Sequence, residues 1–582
     1  MGGDLLPQDK LSALRRIGSL SRHLKSRRCP AELAGAVLHC WLESDYPHLR
    51  RAGLPASKRF EALPATREFA EWLGKQYFFD GAFWLASAYA RWVTPAIREE
   101  RALFFTPPQL ATRLIDDLVG SGADLVAHKW MDPACGGAAF LAPLAARMSA
   151  ALKRRGRTPR QILRHVETHL IGSDIDPFLC CLSRFFLKMA LSDEIKTAGR
   201  EPTLTVTTRD SLRASAHYGS VDVIACNPPY RKMAQAEVTA RRRFYGDVME
   251  GQPNIYALFF KLALRLLKPS GTAGLITPTS FLSGQSFSKL RVLLANEAAT
   301  PQIDLVSSRI GIFVGVEQEA AITVVRPRRS ASKRRTKIFA AGRDGRFVSV
   351  GTCSVPKDGR AWPIPRLQED ARAIKLVNGS TFRLKDYGYR ARVGSYVDYR
   401  ERQTKRIYYK IPQRPGETLY PLIWSSDISS QGWLQLGRHS NHAQPRYIRV
   451  SDTSRDTLLM RPSIALQRVT SSDQPKRLVG AVVPPGLLRR YGGAIGENHV
   501  LFLEQMTDEV KVAPALLAQI LRASIIDRYF RCISGAANVS VFELNQLPLP
   551  DPELVRKELG GRCSVNDALV RAFGKQQSHE QR

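Results

Sequence analysis

The chain has 582 residues, of which 44% are hydrophobic and 24% are charged. These proportions are typical of globular proteins and exclude a wholly disordered, collagen-like or fibrous low-complexity chain. The length predicts about three to five domains. The charge balance is unusual, because 86 Lys and Arg residues outnumber 53 Asp and Glu residues and give a formal net charge of +33. A surface this positive attracts polyanions, with nucleic acid as the first candidate and an anionic membrane surface as the second. A basic structural or ribosome-associated protein is the alternative.

The sequence indicates neither a membrane span nor a metal site. Apolar runs such as 256–267 either contain Lys and Arg or are shorter than the roughly 20 residues that a span requires. Charged residues interrupt 1–20, so we expect no signal peptide. The nine cysteines are scattered and include no Cys-x-x-Cys pair, which gives no support for zinc and fits a reducing, cytoplasmic location.

The first part of the chain, 1–100, is predicted to be helical. Apolar residues recur there at the spacing of an amphipathic helix, namely Leu11, Leu14, Ile17 and Leu20. An aromatic and Ala-rich run follows at 69–92, and no residue of this region indicates a chemical role.

From 101 to 330 the pattern changes to short apolar strands that alternate with amphipathic helices. The predicted strands end near Asp132, Asp174, Cys226 and Pro278. This alternation predicts an α/β fold, a mostly parallel Rossmann-like sheet with helices on both faces. Beyond it we predict a basic linker at 331–384, an α+β domain at 385–555 that is rich in turns, Arg and Tyr, and a short tail at 556–582.

The strongest sign of chemistry is Asn227-Pro-Pro-Tyr230, directly after an apolar strand. An amino group conjugated with a ring is a poor nucleophile, because its lone pair is delocalised. The Asn227 side-chain oxygen and the Pro228 carbonyl can hold its hydrogens, Pro229 helps to stiffen the loop, and Tyr230 can stack on the ring. Methyl transfer to such an amine needs positioning and electrostatics more than a strong base. A Pro-rich turn is the alternative.

Two further motifs follow strands upstream of this loop. Asp132-Pro-Ala-Cys-Gly-Gly137 is a Gly-rich turn that lets the backbone approach a nucleoside-like ligand. Asp174 stands where a ribose is usually held, with Asp176 as the second candidate. Their alternatives are an ordinary tight turn and a helix cap at Asp176.

Two weaker motifs complete the set. Asp210 follows a strand-like segment at 203–207 and can accept the amino group of an adenine, with a helix cap as the alternative. Phe104-Phe-Thr-Pro-Pro108 leads into a helix, and helix initiation alone explains it equally well.

In this order the motifs resemble those of the amino-group DNA methyltransferases that use S-adenosylmethionine. The match is to the γ class of adenine-specific enzymes from type II restriction–modification systems. It covers about 100–325, and segments at 420–424, 497–500 and 533–550 resemble the C-terminal half of that family. The resemblance implies a Rossmann-like methyltransferase domain, 101–330, followed by a target-recognition domain, 385–555.

The resemblance also implies a role for each motif. The catalytic loop consists of Asn227, Pro228, Pro229 and Tyr230. A second aromatic, Phe313, joins Tyr230 in clasping a flipped base, with core packing as the alternative. The cofactor is held by Thr106, Asp132, Ala134 and Gly136 at its methionine end, by Asp174 at its ribose, and by Ile175, Asp210 and Ser211 at its adenine.

The sequence departs from the family pattern at two positions. The family's glycine turn is usually Cys-Gly-Ser-Gly, whereas this chain has Cys135-Gly-Gly-Ala138. An alanine in this last position is strained if the backbone there requires a positive φ. At the other position, Ser211 replaces a common aromatic and offers less surface for packing.

The segment 385–410 interleaves cations with tyrosines, as expected of a surface that contacts phosphates and base edges. The candidate DNA-binding residues are Arg390, Arg392, Arg400, Arg402, Lys405 and Arg406. A solvated basic face is the alternative.

We therefore expect a site-specific adenine methyltransferase that acts on a flipped adenine in double-stranded DNA. Its location would be cytoplasmic, with nucleoid association when DNA is bound. A separate cognate restriction endonuclease is a possible partner, and the oligomeric state is left open, a monomer being compatible. Glu509-Val-Lys511 lacks an upstream Pro-Asp partner, so we expect no nuclease activity. The alternatives are an rRNA or protein-glutamine methyltransferase, and a catalytically weak DNA-binding module.

Overall fold

The computed structural model describes most of the chain. The described residues are 9–24, 30–213, 217–306, 319–328, 335–342, 344–398, 407–408, 419–437, 444–449, 456–470, 474–534, 538–561 and 563–580. Five of the predicted site residues lie outside them, namely Phe313, Arg400, Arg402, Lys405 and Arg406. The chain divides into two compact units, the first comprising Met1–Phe281 and Ser286–Gly359 and the second comprising Leu282–Gln285 and Arg360–Arg582.

The first unit begins with a helical region, as predicted. Its helices are α1 (Lys10–Ser21), α2 (Pro30–Asp45), α3 (Lys58–Glu61), α4 (Pro64–Gly74), α5 (Phe78–Trp92) and α6 (Pro95–Arg101). The buried face of α1 carries Ala13, Ile17 and Leu20, whereas Leu11 is 72% exposed. The predicted apolar face is therefore shifted at its start, where Ala13 instead of Leu11 is buried, and α1 packs on its neighbours α4 and α5.

A nine-stranded sheet with flanking helices forms the rest of the first unit. Its helices are α7 (Pro108–Gly120), α8 (Leu141–Arg154), α9 (Pro159–His169), α10 (Pro177–Ala190), α11 (Ser192–Ala198), α12 (Gln235–Tyr245), α13 (Tyr256–Leu266) and α14 (Ser288–Glu297). Its strands are β1 (Trp130–Asp132), β2 (Leu170–Asp174), β3 (Thr205–Thr208), β4 (Val221–Cys226), β5 (Leu267–Pro278), β6 (Ala298–Val306), β7 (Ala320–Pro327), β8 (Thr336–Ala341) and β9 (Phe347–Cys353).

The sheet has the strand order β3-β2-β1-β4-β5-β7-β6-β8-β9. The first five strands in this order are parallel, and β7 is antiparallel to β5 and to β6. The strand β1 is buried throughout and β4 almost throughout, as expected for strands covered by helices on both faces. The order of the chain reverses between β1 and β4, and in open α/β sheets ligands bind at the carboxyl ends of the strands at such a point. The predicted α/β fold is confirmed.

The region predicted as a linker, 331–384, contains part of the sheet. The strand β8 pairs in parallel with β6, and β9 pairs antiparallel with β8. The unit boundary lies at Gly359, later than the predicted end of the α/β region at 330. The charged run at 326–335 suggested a linker, but the segment after it buries Thr336 and Ile338 on one face and so continues the sheet.

The second unit has an α+β architecture. Its helices are α15 (Asp370–Val377), α16 (Pro485–Tyr491), α17 (Pro514–Arg522), α18 (Ser524–Ile533), α19 (Val541–Gln546), α20 (Pro552–Leu559) and α21 (Val565–Glu580). Its strands are β10 (Tyr389–Val393), β11 (Ile407–Tyr408), β12 (Leu419–Ile423), β13 (Tyr447–Arg449), β14 (Ser463–Gln467), β15 (Gly480–Val482), β16 (Ile495–Gly496) and β17 (Val500–Gln505). They form two four-stranded sheets, β10-β17-β14-β15 and β11-β13-β12-β16. No helix among the described residues is long and apolar enough to cross a lipid bilayer.

Candidate active site

A cavity of about 350 Å³ lies in the first unit, next to the carboxyl ends of β1, β2 and β4. Small-molecule sites typically have volumes of roughly 300–1,000 Å³. The predicted residues that border the cavity are Thr106, Asp132, Ala134, Gly136, Asp174, Ile175, Asp210, Ser211, Asn227 and Pro229. Pro228 is buried and Tyr230 is half-buried in the same loop. The fold thus brings together motifs that are spread over more than a hundred residues of sequence.

The Gly-rich turn after β1 has an unusual backbone. Gly136 and Ala138 have φ values of 47° and 58°, so the alanine does occupy the left-handed region. A Cβ atom on Gly137 would lie 2.8 Å from the Cβ atom of Ala86 in α5. Glycine is therefore needed at 137 for close approach of the helical region, whereas Ala138 is accommodated at some cost in strain.

The helical region also supports the segment after β2. Asp176 is 1% exposed and caps α10 by accepting hydrogen bonds from the backbone N–H groups of Phe178 (2.8 Å) and Leu179 (3.2 Å). The other oxygen of Asp176 accepts from the Tyr89 hydroxyl at 3.0 Å and from Arg101 at 2.5 Å. Helices α5 and α6 thus hold the segment that follows Asp174, and the helix-cap reading of Asp176 is the one that the structure shows.

Two carboxyl groups face the cavity, the buried Asp132 and the half-buried Asp174. Asp132 is 1% exposed and accepts from the Ala134 N–H at 3.0 Å, and burial raises its pKa to about 8. Asp174 accepts from the N–H groups of Gly136 and Asp176, each at 2.9 Å, and burial raises its pKa to about 6. Each carboxylate oxygen has two lone pairs, so Asp174 retains acceptor capacity for ligand hydroxyl groups.

Asp210 is held by the helix that follows the Asn-Pro-Pro-Tyr loop. It accepts from the Leu212 N–H at 3.0 Å and from Arg241 of α12 at 2.9 Å. At the start of that helix, Arg231 and Glu237 form a two-bond ion pair with distances of 2.7 and 2.6 Å. The loop and the Asp210 end of the cavity are therefore joined through α12.

Ser211 makes a contact that the amino-acid sequence does not predict. Its hydroxyl lies 2.8 Å from the Ser173 hydroxyl of β2, and the residue is only 6% exposed. The side chain thus links two strand ends instead of offering the broad wall of an aromatic ring.

The amide of Asn227 is hydrogen-bonded at both ends. Its Nδ2 atom donates to Thr106 Oγ1 at 2.9 Å and to the Phe104 carbonyl at 3.4 Å. The Tyr230 hydroxyl contacts Asn227 Oδ1 and lies 2.7 Å from the Ile276 carbonyl. Burial raises the pKa of Tyr230 well above its ordinary value, so the hydroxyl stays protonated and is a donor. In this structure the Tyr230 hydroxyl is held between Asn227 of the loop and Ile276 of β5.

Several residues around the cavity carried no assigned role in the sequence. They are Arg101, Arg209, Arg231, Glu237, Arg241 and Phe259. Arg241 belongs to a run of three arginines, but nothing in that run indicates which member faces Asp210. The motif 104–108 predicts no role for the Phe104 carbonyl, because its contact with Asn227 joins residues 123 positions apart.

Two candidate DNA-binding residues are described, both on β10 in the second unit. Arg390 lies 2.8 Å from the Glu504 carboxylate of β17, and Arg392 lies 3.4 Å from it. Glu504 is 3% exposed, whereas the Arg390 side chain is 62% exposed. These arginines neutralise a buried carboxylate, and their contact with DNA stays a prediction. Among the described residues, no group of three or more His, Cys, Asp or Glu side chains is arranged to hold a metal ion.

The parallel sheet, its strand order and the cavity at the strand ends define a class. The first unit has the Rossmann-like α/β fold that the sequence predicts for the methyltransferase domain. The model of the Eco57I restriction-modification methylase family matches residues 168–313, which include β2, β4 and the Asn-Pro-Pro-Tyr loop. The predicted resemblance to type II methyltransferases is confirmed.

Curated relatives agree with this match. The type II methyltransferase M.PstI of Providencia stuartii is 22% identical over 340 residues, covering 56% of this chain and 64% of that protein. M.BsuBI of Bacillus subtilis is 22% identical over 341 residues, covering 56% of this chain and 65% of that protein. The chain therefore spans just under two thirds of the length of these relatives.

A solved structure extends the similarity in fold to nearly the whole chain. The type IIL restriction-modification enzyme MmeI, solved in complex with DNA, aligns with a TM-score of 0.53 and 12% identity. The alignment covers 98% of this chain and 91% of MmeI. At this identity the similarity concerns the fold alone.

Proposed function

We propose that the chain is a site-specific DNA methyltransferase of a restriction–modification system. It would transfer a methyl group from S-adenosylmethionine to the exocyclic 6-amino group of a flipped adenine in double-stranded DNA. The observation that carries this proposal is the Asn227 amide, held at the carboxyl end of β4 on the border of the cavity. The match to restriction-modification methylases over 168–313 supports it.

The residues around the cavity fit S-adenosylmethionine. Asp174 has lone pairs for the ribose hydroxyls, and Ile175 is 62% exposed and offers an apolar surface for the adenine ring. Asp210 can accept from the adenine amino group with an oxygen lone pair that Arg241 and the Leu212 N–H leave open. When bound, the cofactor supplies a methyl group that is attached to a positively charged sulfur. The sulfur is left as a neutral thioether, and the amine proton passes to water.

The methionine end of the cofactor would be held by the turn after β1. Thr106, Asp132 and Ala134 border this part of the cavity. Asp132 is buried with a raised pKa, so a cationic partner that lies against it favours its ionised form. The open backbone of the turn at Gly136 allows close approach of the ligand.

The catalytic loop would act by accepting hydrogen bonds. The Asn227 oxygen and the Pro228 carbonyl hold the two hydrogens of the target amine and favour a nitrogen whose lone pair is free to attack. The Tyr230 hydroxyl contacts the same Asn227 oxygen in this structure, and the second lone pair of that oxygen remains to accept from the amine. The Tyr230 ring would stack on the flipped base.

The partner is proposed to be double-stranded DNA. The net charge of +33 supports strong attraction to phosphates, and candidate contacts in the second unit include Arg390 and Arg392. A separate cognate endonuclease is compatible with the similarity to type II methyltransferases and belongs to the same proposal.

The test is transfer of labelled methyl groups from S-adenosylmethionine to duplex DNA, ribosomal RNA and protein, assayed separately. We expect label in DNA, and sequencing with a modified-base readout should give 6-methyladenine within a defined motif. Asn227→Ala should abolish transfer, whereas Asn296→Ala, on the exposed face of α14 in the same unit, should not. Equal transfer by wild type and Asn227→Ala would contradict the catalytic assignment, and label found only in RNA or protein would contradict the substrate.

A further inference from the structure

The hydroxyl group of Thr106 lies beside the amide of Asn227. The two residues are 121 positions apart in sequence, and Thr106 Oγ1 is 2.9 Å from Asn227 Nδ2. Thr106 is 3% exposed and belongs to the segment between α6 and α7. The Phe104 carbonyl, in the same segment, is 3.4 Å from the same nitrogen.

These contacts determine which way the amide points. An asparagine amide is nearly symmetric in shape, so its orientation depends on which neighbours donate and which accept hydrogen bonds. The Phe104 carbonyl can only accept, and it therefore selects the nitrogen. On the other side the neutral Tyr230 hydroxyl contacts the oxygen. Among these three neighbours the Phe104 carbonyl fixes the orientation, and the two hydroxyl groups are compatible with it, so Oδ1 is directed away from Thr106.

The segment that carries Thr106 is held rigidly. Pro107 and Pro108 follow it directly, and Pro108 begins α7. The preceding residue, Phe105, packs against the Gly-rich turn, because a Cβ atom on Gly136 would lie 3.3 Å from its ring. The fixed φ of proline and this packing keep the Thr106 hydroxyl in place.

We propose that Thr106 is a positioning residue for the catalytic asparagine. Its hydroxyl accepts a hydrogen bond from Asn227 Nδ2 and so holds Oδ1 ready to accept from the target amine. Because a hydroxyl has two lone pairs and one proton, Thr106 can accept from Asn227 and still donate to a ligand in the cavity that it borders. This inference rests on the proposed methyl transfer, and it assigns to Thr106 an effect on the chemical step in addition to the contact with the cofactor.

The test compares Thr106→Val, which keeps the shape and removes the hydroxyl, with Thr106→Ser, which restores the hydroxyl. Thr323→Val is the matched control, since Thr323 is fully buried in β7 and its hydroxyl has no hydrogen-bond partner among the described residues. The measurements are kcat at saturating S-adenosylmethionine and DNA, the affinity for S-adenosylhomocysteine without DNA, and the thermal midpoint. Thr106→Ala replaces Thr106→Val if the latter does not fold.

We expect Thr106→Val to lower kcat about tenfold or more, a loss of about 1.4 kcal/mol in transition-state stabilisation. Thr106→Ser should stay within about threefold of wild type, and Thr323→Val should match wild type. A loss of cofactor affinity with kcat unchanged would mean that Thr106 only holds the cofactor, which overturns the inference. An equal loss of kcat in Thr106→Ser would also overturn the inference. If wild type itself transfers no methyl group to DNA, the proposed function fails, whereas an active wild type with an unaffected Thr106→Val contradicts this inference alone.

Discussion

At the scale of single residues, Asp174 connects the backbone of the site to its ligand chemistry. Its carboxylate accepts hydrogen bonds from the N–H groups of Gly136 and Asp176, and burial raises its pKa to about 6. An ionised Asp174 accepts hydrogen bonds from ribose hydroxyls, whereas protonation removes negative charge from one of its oxygens. Ligand binding and loss of the proton are therefore coupled.

We predict that the affinity for S-adenosylhomocysteine falls as the pH drops below about 6, approaching a tenfold loss per pH unit. Isothermal titration between pH 5 and 7.5 measures this. Asp174→Asn should bind weakly and lose the part of the pH dependence that belongs to Asp174, while the part due to Asp132 remains. Asp116→Asn, at an exposed position on α7, should retain the wild-type profile. An affinity of the wild type that does not change over this range would contradict the role of Asp174.

The second prediction at this scale concerns Ala138. Its left-handed backbone costs about 1–2 kcal/mol relative to glycine. Glycine, however, loses about 0.5–1 kcal/mol in chain entropy, and about 0.8 kcal/mol is lost with the buried methyl group. We expect Ala138→Gly to change the free energy of unfolding by less than about 1 kcal/mol, measured by urea denaturation.

Gly136 provides the matched comparison for Ala138. Gly136→Ala gains the same chain entropy, but its φ is also positive and its new Cβ atom would lie 3.3 Å from the Phe105 ring, which adds crowding to the strain. We expect a destabilisation of about 1–2 kcal/mol or more. A large gain in stability from Ala138→Gly, or an unchanged stability of Gly136→Ala, would contradict the strain energies that we assign to these two residues.

At the scale of secondary structure elements, a buried cluster of charges joins α7 to the sheet. Arg113 of α7 lies 2.7 Å from Asp304 of β6 and 3.1 Å from Asp117 of α7. Its guanidinium also lies 4.5 Å from the ring centroid of Phe347. One cation thus faces two buried carboxyl groups, and burial together with Asp304 raises the pKa of Asp117 to about 8.

The sign of the resulting pH dependence follows from this raised pKa. The contribution of Asp117 to stability is fully present below its unfolded pKa, near 3.8, and is lost as the pH rises through about 8. We predict that the thermal midpoint of the first unit falls between pH 6 and pH 9. The fall should be smaller in Asp117→Asn, and part of it should persist because Asp132 also has a raised pKa.

Thermal unfolding of wild type, Asp117→Asn and the exposed control Asp116→Asn at pH 6 and 9 measures this effect. At pH 9 we expect Asp117→Asn to unfold at a higher temperature than wild type, by roughly 2–4 °C for each kcal/mol regained. An identical fall in wild type and Asp117→Asn would exclude Asp117 as the titrating group.

At the scale of the whole molecule, the net positive charge is the property that bears most directly on binding to DNA. A protein with a net charge of +33 that neutralises DNA phosphates releases counterions when it binds. Arg390 and Arg392 show that part of the charge also serves the fold, because both lie beside the buried Glu504. Composition alone does not show which cations bind DNA and which neutralise buried carboxylates of the fold.

We predict that the affinity for duplex DNA falls steeply with salt, by about a thousandfold or more between roughly 50 and 200 mM if at least six phosphates are contacted. Fluorescence anisotropy with a labelled duplex measures it. Replacing one phosphate-contacting arginine should reduce the slope of log affinity against log salt by about 0.9. Affinity that does not vary over this range would remove the electrostatic account of DNA binding.

The amino-acid sequence by itself determined the helical start, the α/β class and the positions of the site motifs. Strands predicted to end near Asp132, Asp174 and Cys226 end there in the structure. These features are local, since hydrophobic periodicity reports strands and helices, and turn residues with unusual backbone needs follow the strands directly. The strain predicted for Ala138 was likewise visible in the local motif and matches its positive φ.

Only the tertiary structure decided which side chains meet. The hydrogen bond between Thr106 and Asn227, the link from Arg241 to Asp210, and the extension of the sheet through β8 and β9 all join distant segments. Such contacts depend on strand order, helix rotation and the direction in which each side chain points. The propensity and charge of a single segment do not determine these quantities, because the quantities follow from the packing of the whole unit.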